Sequence, residues 1–157
     1  MKKLVKIYFI FLALAACTDN GTDGPEKTAE EIATELLAGA EGSQIWSVSN
    51  GGSVSNDGTT VTGDFADFEI RFISNNTGKT YTTNSSNLLF DTNGGWAFSG
   101  ENYDKIILSG IQPASNKEIS FTRNQESLRL EFVVPPPQNA RVNGLTGFYV
   151  FDLVMNQ

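Results

Sequence analysis

The chain of 157 residues contains no histidine. Histidine is the side chain whose ordinary pKa places a charge change near neutrality. It is also the usual base of Ser-His-Asp and Cys-His centres and a common zinc ligand. Its absence takes those chemistries away. Cys17 is the one cysteine, so no disulfide can form within the chain and no cysteine cluster can hold a metal. Basic residues are sparse as well: eleven Lys and Arg stand against eighteen Asp and Glu, for a net charge of −7. Such a surface repels nucleic acid and anionic headgroups and offers no phosphate-binding footprint. No apolar run reaches the roughly 20 residues that a spanning helix requires, and no repeat period is evident.

The catalytic chemistry left over is that of carboxylate pairs, as in glycoside hydrolysis. Asp64, Asp67, Glu69, Asp104 and Glu131 are the candidates. Asp67 and Glu69 share the polar face of one strand with Arg71, which is the pattern of a solvated surface. The reading is therefore a protein without enzymatic activity, cofactor or metal, with a carboxylate-based glycosidase as a minor alternative.

What is present begins with Lys2, Lys3 and Lys6, followed by the apolar run Ile7 to Ala16. A basic segment and then a short apolar one is the layout of an export signal. The run ends in Leu14-Ala15-Ala16-Cys17. Small residues before a cysteine resemble the lipobox of bacterial lipoproteins. The resemblance implies cleavage between Ala16 and Cys17, lipidation of Cys17, and a membrane as partner through that residue. Two or more acyl chains hold a protein firmly, whereas one gives only marginal binding. Lipidation would also leave no free thiol.

Removing residues 1–16 takes three basic and no acidic residues, which leaves eight against eighteen and a net charge of −10. Thr18 to Lys27 has no apolar residue, one proline and two glycines, and reads as a tether over residues 17–27. Ten such residues span about 18 Å typically and about 35 Å at most. Asp19, Asp23 and Glu26 make the tether acidic. That feature loosely resembles the surface-display signal of Bacteroidetes lipoproteins. Asp19, Asp23, Gly24 and Glu30 match positions of an EF-hand calcium loop, but Gly21 stands where a ligand belongs and no helix precedes it. A solvated tether is the better reading.

Residues 28–157 make one domain. Thr28-Ala29-Glu30-Glu31 is a capping box. Ala29, Ile32, Ala33, Leu36 and Leu37 follow at helical spacing and Gly39 can close the helix, which predicts one short amphipathic helix over residues 29–38. From Ser43 the period becomes two. Trp46 and Val48 share a face, then Phe68, Ile70 and Phe72, then Trp96 and Phe98, then Ile106 and Leu108, then Ile119 and Phe121, then Leu128, Leu130, Phe132 and Val134. Turn clusters such as Asn50-Gly51-Gly52, Asn56-Asp57-Gly58 and Asn75-Asn76-Thr77-Gly78 divide the strands. Pro135-Pro136-Pro137 must leave the sheet, since proline cannot donate to a ladder. The last strand, from about Gly147 to Met155, is apolar on both faces, so both are expected to be covered, by the helix or by the proline loop.

Seven to nine short strands at near-regular spacing predict a mainly β fold, an antiparallel up-and-down barrel of about eight strands with one N-terminal helix. The order of Trp46, Asp57-Gly58, Phe68 to Phe72, Tyr81 to Thr83, Gly95 to Phe98, Leu128 to Phe132 and Gly147 to Leu153 resembles small Bacteroidetes lipoproteins with a lipocalin-like, calycin-like β-barrel. That resemblance implies the barrel and carries over no catalytic residues. Trp46, Phe68, Phe72, Trp96, Phe98, Phe121 and Phe132 are the candidate barrel-lining residues. An eight-stranded barrel can just be filled by side chains or hold one small ligand. Bulky aromatics fill space, so a packed interior is expected, with a pocket for a glycan or an apolar small molecule as the alternative.

The functional reading is a membrane-anchored, non-catalytic binding or accessory module on the outer membrane, facing the periplasm or the cell surface. Its candidate partners are a glycan, an apolar small molecule or an outer-membrane protein, and not nucleic acid. The alternative is a structural subunit of an outer-membrane complex with no small ligand. An open aromatic mouth would favour a ligand, and an exposed apolar patch a partner.

Overall fold

The computed structural model describes residues 26–136 and 145–156. It contains an eight-stranded antiparallel barrel closed on itself and one α-helix. The helix α1 is Ala29–Ala38. Its capping box is complete: the Glu31 backbone N–H donates to Thr28 Oγ1 at 3.2 Å, and the Thr28 N–H donates to Glu31 Oε2 at 2.7 Å. Gly39, at φ 70°, ends it.

The strands that follow are β1 Ser43–Ser47, β2 Ser53–Asn56 and β3 Thr59–Thr60, then β4 Glu69–Asn75, β5 Gly78–Asn84 and β6 Asn93–Phe98. They continue with β7 Lys105–Leu108, β8 Glu118–Asn124, β9 Ser127–Val134 and β10 Gly147–Asn156. A short 3₁₀ turn at Thr62–Phe65 precedes β4. The strands β4 to β10 form a meander of consecutive neighbours, β1 lies beside β4, and pairing of β1 with β10 closes the circle. Ten residues make β10 long enough to take two partners along one edge. Its C-terminal part pairs with β1 (Trp46 opposite Met155) and its N-terminal part with β2 (Val54 opposite Phe151). The chain bends between those two strands at Gly52. A Cβ there would meet Asp152 O at 2.7 Å and Val48 O at 2.9 Å, so only glycine allows the approach.

Alternation decides what lies inside. Along each strand every second side chain points inward, and the cross-strand registers bring these together: Trp46 opposite Ile70, Phe72 opposite Tyr81, Trp96 opposite Leu108, Phe121 opposite Leu130, Phe132 opposite Tyr149. Trp46, Phe68, Ile70, Phe72, Tyr81, Ile106, Leu108, Ile119, Leu128, Leu130, Phe151 and Leu153 have no surface that a water molecule could reach. A ligand-sized void beside them would give them some, so side chains fill this interior.

Both barrel ends are closed. At one end α1 lays Ala33, Leu37 and Ala38 onto the core. At the other, Phe65 of the 3₁₀ turn, Leu89 and Phe90 of the β5–β6 loop, and Ala114 of the β7–β8 loop are buried. Phe65, Phe68, Phe90, Phe132, Tyr149 and Phe151 form one aromatic cluster there, with ring centroids 5.1–6.4 Å apart.

Two expectations are corrected. The apolar stripe of α1 is only partly buried: Ile32 is 51% and Leu36 37% exposed, because the helix rolls its Ala33–Leu37 side onto the barrel. The outer face of β10 is only partly covered. Val150 is buried, but Phe148 is 42% exposed beside its 56% exposed cross-strand partner Val133. The helix closes a barrel end and so cannot shield that face.

Candidate functional site

The helix-closed end carries the most distinctive surface. Three hydrogen bonds from two side chains set the position of α1. Trp46 Nε1 donates to Leu37 O at 2.8 Å, and Arg123 Nη1 donates to Glu35 O at 3.0 Å and Leu36 O at 3.2 Å. These carbonyls belong to the last turn, where Glu35 O also accepts from the capping Gly39 N–H at 3.0 Å, and the guanidinium charge suits the negative end of the helix dipole. The same guanidinium lies 5.1 Å from the Trp46 ring centroid. On the opposite flank Glu30 pairs with Lys79, which also sits 4.8 Å from the centroid of Phe98.

Held this way, α1 leaves a groove of about 410 Å³ between its exposed stripe and the β6–β7 loop. Ala29, Ile32, Ala33 and Leu36 form one wall, Tyr103 the other, and Phe121 lies beneath. An aromatic row leads from the core to this groove: Phe72 to Trp96 at 5.8 Å, Trp96 to Phe98 at 5.4 Å, Phe98 to Tyr103 at 5.2 Å, each edge-to-face. The groove is thus an apolar surface continuous with the core, rimmed by Asn102, Asp104, Thr122 and Arg123.

Of the seven residues expected to line the barrel, Trp46, Phe68, Phe72, Trp96, Phe121 and Phe132 are buried. Phe98 is partly buried and packs against the same core. Trp46 holds the helix, and the other six split into two groups. Phe68 and Phe132 belong to the far cluster, and Phe72, Trp96, Phe98 and Phe121 to the row behind the groove. Cys17 and Ala16, the tether up to residue 25, and the first three positions of the calcium-loop match lie outside the described residues. Its last position, Glu30, pairs with Lys79.

The five candidate carboxylates do not share one site. Asp64, Asp67 and Glu69 sit at the far end of the barrel, whereas Asp104 sits at the helix end. Glu69 accepts from Asn84 and Asn156, and Glu131 pairs with Arg129 at 3.2 Å. No group of three or more Cys, Asp or Glu is placed to hold a metal among the described residues.

Sequence reasoning passed over Asp91. This carboxylate ties the β5–β6 loop to the β7–β8 loop, accepting from Ile111 N at 3.0 Å, Gln112 N at 2.9 Å and Ser115 Oγ at 2.5 Å. Burial pushes its pKa up, but the Ser115 hydroxyl and the two backbone N–H groups outweigh that and hold it below the usual carboxylate range. It is a structural clamp at the far end. The groove was also passed over, although the signal was present: Ala29, Ile32 and Leu36 are more apolar positions than one side of a short helix needs to bury.

A scan against protein-family models finds no match, and searches of curated proteins and of solved structures find none either. Among the described residues no helix is long and apolar enough to cross a membrane.

Proposed function

We propose that this chain is a membrane-anchored lipoprotein of the outer membrane whose barrel is a non-catalytic accessory module that docks a partner at its helix-closed end. The observation that carries the docking half is the exposed Ile32–Leu36 stripe facing Tyr103 across an apolar groove. Exposed apolar surface of this kind, set beside a filled interior, favours a partner over an enclosed small ligand. The lipocalin-like resemblance thus extends to the barrel and not to a ligand cavity.

The anchoring half is supported by Leu14-Ala15-Ala16-Cys17 after a basic and then apolar segment. Membrane attachment through Cys17 would hold the N-terminus of α1, and the groove beside it, within about 35 Å of the bilayer. A partner at that level would be an outer-membrane protein or a subunit of the same assembly. A role as a structural subunit of such an assembly is the same geometry with a permanent partner. Glycan capture and glycoside hydrolysis have less support, because both barrel ends are closed among the described residues and the five candidate carboxylates are not gathered at one end.

The anchoring test is replacement of Cys17 by Ser, followed by cell fractionation and labelling with a fatty acid. The variant should leave the membrane fraction and take no label. A variant that stays with membranes and remains labelled would sink the lipoprotein reading.

A further inference from the structure

We infer that the groove between α1 and the β6–β7 loop binds a cationic amphipathic helix of a partner protein. The inference rests on the reading of the barrel as a docking module and names the chemistry of the partner. Two observations meet at this end of the barrel.

The first is the shape of the apolar surface. Ala29, Ile32 and Leu36 lie at i, i+3 and i+7 along α1 and run for about 10 Å at 1.5 Å per residue. Tyr103 and Phe121 face them across the groove. A second helix laid along that stripe inserts its own i, i+3, i+4 and i+7 side chains, which is the helix-in-groove mode of recognition.

The second is a one-sided charge inventory. Each cation at this end among the described residues is already engaged. Lys27 pairs with Glu35 at 2.6 Å, Lys79 pairs with Glu30, Lys105 at the start of β7 pairs with Glu118 at 3.3 Å, and Arg123 serves the carbonyls of the last helical turn. The carboxylates of Glu26, Glu41, Glu101, Asp104 and Glu126, all at the same end, have no cationic partner among the described residues. Asp104 lines the groove itself. A partner that covers the apolar stripe therefore meets a surplus of unpaired negative charge. Lys and Arg beside its apolar face complement that field, speed encounter and reject acidic competitors. A second copy of this chain would bring the same surplus and be repelled, and so would an anionic lipid surface.

The test uses the full chain in phosphatidylcholine nanodiscs, or in plain buffer if it carries no lipid. The probes are a fluorescent amphipathic peptide of Leu and Lys, with Leu at i, i+3, i+4 and i+7, and the same peptide with Glu for every Lys. Fluorescence anisotropy is read against empty nanodiscs. The Lys peptide should bind, the Glu peptide at least about tenfold more weakly, and added salt should weaken the Lys peptide. Ile32→Ser with Leu36→Ser, which leaves the charge unchanged, should weaken binding about tenfold or more, whereas Phe148→Ser should leave it unchanged. If the double variant loses its fold by circular dichroism, Glu101→Gln with Asp104→Asn measures the electrostatic half alone, and should reduce the preference for Lys over Glu.

Equal binding of the two peptides would overturn the inference. So would binding unaffected by the groove substitutions, or a parent chain whose groove is closed by dimerisation in light scattering. Failure of Cys17 lipidation would leave it standing, since the groove is assayed with or without a membrane.

Discussion

Trp46 Nε1 donates to the carbonyl oxygen of Leu37 at 2.8 Å, so a strand residue inside the barrel holds the last turn of the helix that closes it. The two residues are nine apart in sequence, and both side chains have no exposed surface. Between them the chain must reverse direction through Gly39 and Gly42. A Cβ at Gly42 would meet Ser74 O at 2.5 Å, and its φ of +74° favours glycine. The closed end is thus a joint between one indole, one carbonyl and a glycine turn.

Replacing Trp46 by Phe keeps an aromatic ring but removes the donor. A buried carbonyl left without its partner costs about 1–3 kcal/mol. Urea unfolding followed by circular dichroism should show a loss of that size. An unchanged midpoint would mean that Arg123 alone secures the helix.

The roll of α1 makes a sharper prediction. Leu37 is buried and Ile32 half exposed, although the two are equally apolar. Leu37→Ala should cost about 2–5 kcal/mol, the range for a buried leucine in a packed core. Ile32→Ala removes a partly solvated side chain and should cost under about 1 kcal/mol. Equal losses would mean that the helix presents its Ile32 side to the barrel.

The filled interior is tested at Phe72 and Phe132, one from each aromatic group. Either one replaced by Ala should cost roughly 3–5 kcal/mol. The parent should not take up an apolar fluorescent probe with the affinity of a ligand carrier. Tight uptake, together with a small stability loss in both variants, would show a hollow barrel and move the function toward ligand carriage.

Asp91 predicts a pH dependence. Its pKa in the folded chain is held below that of the unfolded chain, about 3.9. A carboxylate of that kind contributes stability that is fully present above the unfolded pKa and is lost as pH falls through the folded one. Asp91→Asn keeps the shape but offers one acceptor oxygen where the carboxylate offers two. Parent and variant should therefore differ most at neutral pH, and the gap should begin to close as pH falls below about 4. Unfolding midpoints measured from pH 7 to pH 3 would check this, and a constant gap would place the effect in packing and not in charge.

The strands were legible because period-two alternation is local: Phe68, Ile70 and Phe72, or Leu128, Leu130, Phe132 and Val134, mark an inner face without reference to any other part of the chain. The helix was equally local, since a capping box and a C-terminal glycine act within one or two turns. Loop residues that plug the far end, Phe65, Leu89, Phe90 and Ala114, follow neither period, so nothing nearby in sequence marks them as buried. The short β2 was hidden for the same reason, because its single buried residue, Val54, sits between two turn clusters.

By itself the sequence determined a mainly β chain with a capped helix, an inward aromatic set, a surplus of negative charge and the Leu14 to Cys17 signature. Only the tertiary structure decided how the barrel closes and which apolar residues of α1 stay outside. Closure of β1 on β10 joins segments about a hundred residues apart, and hydropathy cannot specify a register at that distance. The azimuth of α1 depends on the Trp46 and Arg123 bonds to its last turn. A hydrophobic pattern states how many apolar residues share a helix face; which of them meet the core is decided by the surface against which the helix is pinned.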